Sequence, residues 1–218
     1  MTKYKAQGEL IFSEGRTNTH RTIAEYTELF GFKNENDFLK WISGKTVLDL
    51  GSGTGMLAKS VANMEANVSD EDKTHIINLN LSLHDPEFRK RCHNYTGDCL
   101  GINGNEEEIS RVNGIHDDYA VAGDWSELPF KNESFERIVS LCSFPLHAKS
   151  FDEVKKTLRE LTRVLKQGGE MLLSEIYDFK KDVTYYPEDY DKFKNFITEE
   201  LGLVVEFNRG GFAHFKKH

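Results

Sequence analysis

Thr46-Val47-Leu48-Asp49-Leu50-Gly51-Ser52-Gly53-Thr54-Gly55 is the stretch that decides how this chain folds. Thr46 to Leu50 is a short, largely apolar run with β-branched Thr46 and Val47, the composition of a buried strand. Gly51, Gly53 and Gly55 then fall at alternate positions, where a backbone can turn sharply and let a ligand come close. Met56 to Ala62 follows, with Leu57, Ala58 and Val61 on one face of a helix. Strand, glycine loop and helix in this order aim free backbone N–H groups and the positive end of a helix dipole at a bound ligand. The stretch reads as a cofactor site.

The spacing separates two kinds of cofactor. A dinucleotide loop runs G-x-G-x-x-G/A, its last small residue allowing helix and strand to pack closely. Met56 stands at that last place. The stretch instead resembles motif I of the class I S-adenosylmethionine-dependent methyltransferases, a hydrophobic strand followed by D-x-G-x-G-x-G. Asp49, Gly51, Gly53 and Gly55 occupy its fixed positions. This resemblance implies an α/β fold: a Rossmann-like, doubly wound, mostly parallel seven-stranded sheet with an antiparallel C-terminal strand. It also implies S-adenosyl-L-methionine as cofactor and S-adenosyl-L-homocysteine as product, cradled by Asp49, Gly51, Ser52, Gly53, Thr54 and Gly55.

Composition sets the outer bounds. A chain of 218 residues suits one domain with a sizeable core, spanning 1–218. Charged residues make up 29% and hydrophobic residues 38%, an ordinary globular balance rather than a disordered one. Lys+Arg 28 against Asp+Glu 36 leaves a net charge of -8, which argues against a large nucleic-acid footprint. Cys92, Cys99 and Cys142 form no C-x-x-C pair and are odd in number, so a reducing, cytoplasmic setting is expected. Leu10-Ile11-Phe12 is too short for a signal-peptide core, and no stretch nears the roughly 20 apolar residues needed to cross a bilayer.

Residues 1–45 read as a helical cap. Ile23, Tyr26, Leu29 and Phe30 recur at helical spacing, as do Phe38, Leu39, Trp41 and Ile42 before the stop at Gly44. The polar approach from Ser13 to Arg21 is a solvated loop and cap that could serve as a lid. Residues 46–82 form the glycine-loop half, closing with His75 to Leu81 as a second strand. The family places an acidic residue at the end of that strand, on the ribose hydroxyls. Aligning strand ends selects Asn80; counting from the glycine loop selects Asp72 instead. Asn80 is preferred, because Ser69-Asp70-Glu71-Asp72 makes a poor buried strand. An amide lacks the charged bond, so weaker cofactor binding than the family norm is expected.

Residues 83–118 read as an insertion. Cys92, His93, Cys99 and His116 lie within it at spacings that match no standard metal module, and no metal is expected. Residues 119–218 then carry the rest of the sheet and the acceptor side. Tyr119 to Ala122 suits a third strand ending in Gly123-Asp124, followed by Trp125 and Leu128-Pro129-Phe130. In the family this aspartate accepts from the adenine amino group and its neighbour packs on the ring. Asp124 and Trp125 match those places, and an indole offers a broad apolar face. By residue chemistry alone the segment also suits an Asx turn beside a half-buried Trp.

Leu128 to Val139 resembles the LPF-x-x-x-SFD-x-V run of small-molecule, type 11-like methyltransferases, with Glu136 at the usual Asp. A polar turn leads into the run Ile138 to Phe144, in which strand four is expected to end near Leu141 and Cys142, its ligand-facing end, with His147 beyond. His147 is the candidate catalytic base or positioning group; Tyr177 and His20 are weaker candidates. The N/D-P-P-Y/F signature of many enzymes that methylate amino groups in macromolecules is absent, and Cys142 to His147 stands in its place. Phe151 to Leu165 suits an amphipathic helix stopped at Lys166-Gln167-Gly168-Gly169. Glu170 to Tyr177 suits strand five, and Leu201 to Phe207 with Gly211 to Lys216 a closing pair of strands about Asn208-Arg209-Gly210.

The sequence therefore points to a cytoplasmic methyltransferase acting on a small-molecule acceptor, without nucleic acid or membrane as partner. A non-catalytic methyltransferase-fold protein that binds the cofactor or a partner is the first alternative. A nicotinamide-dependent Rossmann oxidoreductase is the second.

Overall fold

The organising strand forms as its composition demands. In the computed structural model β1 runs Thr46–Leu50, with every residue after Thr46 buried. The structure describes residues 21–52, 55–80, 120–122, 124–145, 148, 150–174, 190–208 and 212–218. Before β1 stand helix α1, Ile23–Leu29, and helix α2, Glu35–Ile42; after it come α3, Met56–Met64, and β2, His75–Asn80. Strands β3, Ala120–Ala122, and β4, Phe135–Ser140, lead to α4, Phe151–Val164, and β5, Leu165–Ser174. Helix α5, Tyr190–Asn195, passes into a π-helical turn, Phe196–Glu200, before β6, Leu203–Phe207, and β7, Phe212–Lys217.

The seven strands make one sheet in the order β3-β2-β1-β4-β5-β7-β6. Pairs from β3 across to β5 are all parallel. β7 is antiparallel to both β5 and β6, so it is the single reversed strand of the sheet. The doubly wound fold and its antiparallel C-terminal strand are thus as expected. The chain moves outward from β1 in one direction through β2 and β3, then in the other through β4 and β5. The order reverses between β1 and β4, which places a ligand crevice at their carboxyl ends.

Side-chain alternation divides the core between the two faces. Val47, Ile76, Val139 and Leu172 pack with Ile23, Tyr26, Phe38, Ile42, Leu57 and Val61, so α1, α2 and α3 cover one face. Leu48, Leu50, Leu79, Ile138, Met171 and Leu173 pack with Val154, Leu158, Leu161, Phe193 and Ile197, so α4 and α5 cover the other. The helices begin where polar caps supply acceptors. Asn34 accepts from the Asp37 N–H at α2, and Ser150 from the Glu153 N–H at α4.

The largest departures from the expected boundaries are the starts of β4 and β5. β4 begins earlier, at Phe135, and ends at Ser140, beside the expected end, where Leu141 and Cys142 turn away, Cys142 with φ +47. β5 starts at Leu165, inside the expected helix stop. Phe135 pairs with Leu165 and Arg137 with Glu170, so the four residues Lys166 to Gly169 bulge out of register, with Gly168 at φ +72. The glycine that was expected to cap a helix instead shapes a strand bulge.

Candidate cofactor site

Asp49 is where the sheet meets the crevice. It lies one residue before the end of β1, facing the α1 side, and is 1% exposed. Its Cα partners are Asn78 on β2 and Val139 on β4. The Tyr26 hydroxyl from α1 bonds its carboxylate at 2.8 and 3.0 Å. Burial pushes the Asp49 carboxyl up to about 7; the Tyr26 bond and the Arg21 guanidinium pull it partly back. The Tyr26 hydroxyl is driven well above its ordinary value, first by burial and then by the charge of Asp49.

The glycine loop leaves β1 by a close approach to the β4 side. Gly51 has φ +74, and a Cβ built on it would overlap the Ser143 side chain. Its N–H donates to the Leu79 carbonyl at 2.7 Å, so the turn begins while still tied to β2. Ser52 is 3% exposed, and its carbonyl accepts from the Gly55 N–H at 3.0 Å. Gly55, at φ 69 and ψ 21, is the N-cap of α3 and lets the chain enter the helix left-handed. Gly53 and Thr54 lie outside the described residues.

The β4 side is built to match. The fully buried Ser140 hydroxyl lies 3.2 Å from the Leu50 carbonyl and 2.9 Å from that of Phe144, and accepts from the Phe144 N–H at 3.0 Å. It clamps the ends of β1 and β4 together. The Cys142 N–H donates to Ser174 Oγ at 2.6 Å, tying the turn to the end of β5. Leu141 is fully buried among the residues of the α1–α3 face, and Cys142 is half-buried.

Asn80 closes β2 with Ala122 of β3 as its Cα partner. Asp72 sits in the turn before that strand, exposed, accepting from Ser69 Oγ at 2.7 Å. Asp124 is exposed, and its Oδ1 accepts from the Ser126 N–H at 2.7 Å, an Asx turn. Trp125 is more deeply placed than an open stacking platform: 5% exposed, 5.7 Å from the Phe144 ring, with its indole N–H on Glu153 at 2.9 Å. His147, Tyr177, His20, Cys92, His93, Cys99 and His116 fall outside the described residues. Among the described residues no group of three or more His, Cys, Asp or Glu side chains is arranged to hold a metal ion.

Three residues of this neighbourhood carry no sequence motif. Tyr26 reads in sequence as a core position of a helix, and its hydroxyl is the only hint of a polar task. Arg21 reads as part of a solvated approach. Asn78 is hidden within an apolar strand, yet it is 1% exposed and both polar atoms of its amide lack a hydrogen-bond partner.

A doubly wound sheet with a glycine loop at its switch point defines a domain of the Rossmann-like, cofactor-binding class. A family model described as a methyltransferase domain matches residues 85–173, from the insertion through β3, β4 and α4 to β5; the glycine loop stands before that segment. The ubiquinone/menaquinone biosynthesis C-methyltransferase of Salmonella arizonae is 30% identical over 162 residues, covering 74% of this chain and 54% of that one. An uncharacterized methyltransferase of Bacillus subtilis is 31% identical over 111 residues, covering 47% and 39%. This chain thus spans about half the length, or less, of these curated relatives. A S-adenosylmethionine-dependent methyltransferase structure from Aquifex aeolicus superposes with a TM-score of 0.47 at 19% identity, covering 89% and 94%. The chain is thus similar to S-adenosylmethionine-dependent methyltransferases, whose cofactor is S-adenosylmethionine, over the matched methyltransferase-domain segment.

The residues present fit that cofactor on two observations. Gly51 brings bare backbone to the crevice at a point that the Ser143 side chain closes to any larger residue. The Asn78 amide, neighbour to Asp49 across the strand register, is buried with donor and acceptor unmatched. An unpaired buried amide costs about 1–3 kcal/mol by protein mutational data, which a polar ligand beside it would offset.

Proposed function

We propose that this protein is a methyltransferase that moves a methyl group from S-adenosylmethionine to a small-molecule acceptor by in-line displacement. The observation that carries the reading is the β1–glycine loop–α3 unit, with Asp49 and Gly51 at the switch point of the sheet. When bound, the cofactor supplies an activated methyl group. The protein's task is to hold the acceptor in line with it and exclude water.

In this reading Asp49, Gly51, Ser52, Gly53, Thr54 and Gly55 hold the amino-acid end and backbone of the cofactor. Asn80 takes the ribose and Asp124 the adenine amino group. Trp125 supports the adenine side through the position of its turn, since its indole is already packed on Phe144 and bonded to Glu153. Leu141 and Cys142 shape the wall at the end of β4. His147, next after that wall in the chain, orients the acceptor or takes its proton.

A small acceptor is favoured by the net charge of -8 and by Cys142 to His147 standing where a macromolecular amine methylase carries N/D-P-P-Y/F. The name of the Salmonella relative, a C-methyltransferase of ubiquinone/menaquinone biosynthesis, makes carbon acceptors from that biosynthesis the first class to screen. The test is calorimetric titration of ligand-stripped protein with S-adenosylmethionine and S-adenosylhomocysteine, followed by turnover with an acceptor panel. One site per chain at micromolar affinity, and product formation that His147→Ala lowers, is the expected result. Absence of binding to either ligand would end the methyltransferase reading for this chain.

A further inference from the structure

The loop that carries Asp124 is tied down by side chains of α4. Glu153 accepts from the Trp125 indole N–H at 2.9 Å, and Glu160, about two turns further along the helix, accepts from the Leu128 backbone N–H at 2.9 Å. Arg163 stands on the next turn. Its Nη2 donates to the Leu128 carbonyl at 3.0 Å, and its Nη1 to the Phe130 carbonyl at 2.7 Å and to Asn132 Oδ1 at 3.0 Å. The same guanidinium grips Glu160 side by side, Nε on Oε1 at 2.9 Å and Nη2 on Oε2 at 2.7 Å. In return the Glu133 N–H donates to the Arg163 carbonyl at 2.9 Å. In sequence these charges read as the outer face of an amphipathic helix.

A guanidinium has five N–H groups, and Arg163 makes five bonds. Pro129 has no N–H to give, and a planar fork meets the carbonyls on either side of it. The bond from Arg163 holds the Glu160 carboxyl below its ordinary value, so both partners are charged. An ammonium at the same place is a single point charge and could not hold the carboxylate edge and both carbonyls at once. The clamped segment begins where the Asp124 turn ends. The Ser126 N–H bonds Asp124 Oδ1, the Glu127 N–H bonds the Asp124 carbonyl at 3.0 Å, and Leu128 comes next, 4% exposed. Asp124 is thus the exposed end of a turn whose other end is fixed to α4.

We propose that Arg163, paired with Glu160, is a positioning residue for the nucleobase side of the site, fixing the loop so that the Asp124 carboxylate tells a 6-amino purine from a 6-oxo purine. The inference rests on the cofactor reading above, in which Asp124 takes the adenine amino group. Arg163 touches no ligand and acts through the loop. An amino group donates to a carboxylate, whereas a carbonyl oxygen in its place meets it acceptor to acceptor. That distinction holds only while the carboxylate stays within the narrow distance and angle of a hydrogen bond.

The test is calorimetry on the full chain with S-adenosylhomocysteine and S-inosylhomocysteine, which differ only in the 6-amino or 6-oxo group. Wild type is expected to prefer the adenosyl ligand about tenfold or more. R163K is expected to bring that preference toward equality, chiefly by weakening the adenosyl ligand. D124A does the same, and the double variant falls no lower than either, because both changes act on one contact. E160Q keeps an acceptor for the Leu128 N–H and lowers the preference by a smaller factor. Equal weakening of both ligands in R163K, with the preference still at its wild-type value, would overturn the proposal and leave Arg163 a prop for the fold. Melting curves accompany each titration, and E160Q decides by the same criterion if R163K loses its cooperative transition. Equal wild-type affinities for the two ligands would also overturn it, by taking Asp124 off the amino group. Failure of the wild-type chain to bind S-adenosylhomocysteine would instead overturn the cofactor reading itself.

Discussion

The Tyr26 hydroxyl donates to the Asp49 carboxylate, 2.8 Å from Oδ2 and 3.0 Å from Oδ1, with both side chains 1% exposed. This bond fastens the cap to the organising strand at the crevice. Tyr26 is held in turn by its stack on Phe38, with ring centroids 5.7 Å apart, so α1 and α2 brace the same hydroxyl. Removing it leaves a buried carboxylate without its donor. Tyr26→Phe is therefore expected to cost about 1–3 kcal/mol at pH 8, where Asp49 is charged. The loss shrinks at pH 5, where the carboxyl is protonated, because the bond favours the charged form. Urea denaturation at the two pH values checks this; an equal loss at both would show that Tyr26 acts by packing alone.

Asp49, buried as a carboxylate, lowers the stability of the fold when it is charged. Its folded-state pKa of about 7 lies above the ordinary 3.8, so the native state binds the extra proton between those values. The contribution of this group to stability is fullest below about pH 4 and is lost as pH rises to about 7. Asp49→Asn keeps the shape without the buried charge. Its melting temperature is expected to exceed that of wild type at pH 8 by on the order of 5 °C, with the gain vanishing near pH 4. S-adenosylhomocysteine binding falls in the same variant. A variant less stable than wild type at pH 8 would show that the charge is paid back inside the unliganded fold.

The same titration bears on the ligand. If Asp49 meets the cationic end of the cofactor, binding favours its charged form and expels a proton near pH 6. Affinity for S-adenosylhomocysteine should rise from pH 5 to about 7 and then level, with Arg21 and Tyr26 the other groups facing Asp49. Calorimetry in buffers of different ionisation enthalpy measures the released proton. Identical heats in every buffer at pH 6 would remove Asp49 from the contact.

These relationships show where the sequence was informative. The short, largely apolar run from Thr46 to Leu50 reads as a buried strand, and the structure puts Val47 and Leu48 in separate core clusters, one on each face. Gly51, Gly53 and Gly55 at alternate positions read as a tight turn, and Gly51 and Gly55 both have positive φ. Those signals are local, set by neighbours a few residues away. Tyr26 meets Asp49 across 23 positions and Arg21 meets Cys142 across 121, so neither pairing leaves a periodic trace. Trp125 was legible as a large apolar residue in a turn. Its burial depends on Glu153, 28 positions on, and on Phe144, which only the closed sheet brings near. The early start of β5 escaped because Gly168 ends a helix and shapes a bulge by the same left-handed geometry.

Gly51 tests the cradle by sterics. An alanine there must hold φ near +74 and displace Ser143. Left-handed strain in a non-glycine residue costs about 1–3 kcal/mol, and the overlap adds to it. Gly51→Ala is expected to lose at least about 2 kcal/mol of unfolding free energy, measured in urea. Adding Ser143→Gly relieves the overlap but not the strain, so it restores part of the loss. Full restoration would mean that the backbone at Gly51 relaxes freely.

Asp124 and Trp125 separate a structural turn from a binding contact. Asp124 uses Oδ1 to hold the Ser126 N–H and lies exposed, so Asp124→Ala should lower stability by only about 0.5–1.5 kcal/mol, the worth of one neutral-donor bond. If the same carboxylate accepts from the adenine amino group, that variant also weakens S-adenosylhomocysteine about tenfold or more. Asp124→Asn, which keeps an acceptor, should recover part of both. Trp125→Phe behaves in the opposite way. It loses the bond to Glu153 and some packing on Phe144, so stability falls while affinity changes little. Stability and affinity measured on the same preparations distinguish the two residues. Asp124→Ala with unchanged affinity would reduce Asp124 to the Asx turn. A large affinity loss in Trp125→Phe would return the indole to the adenine side.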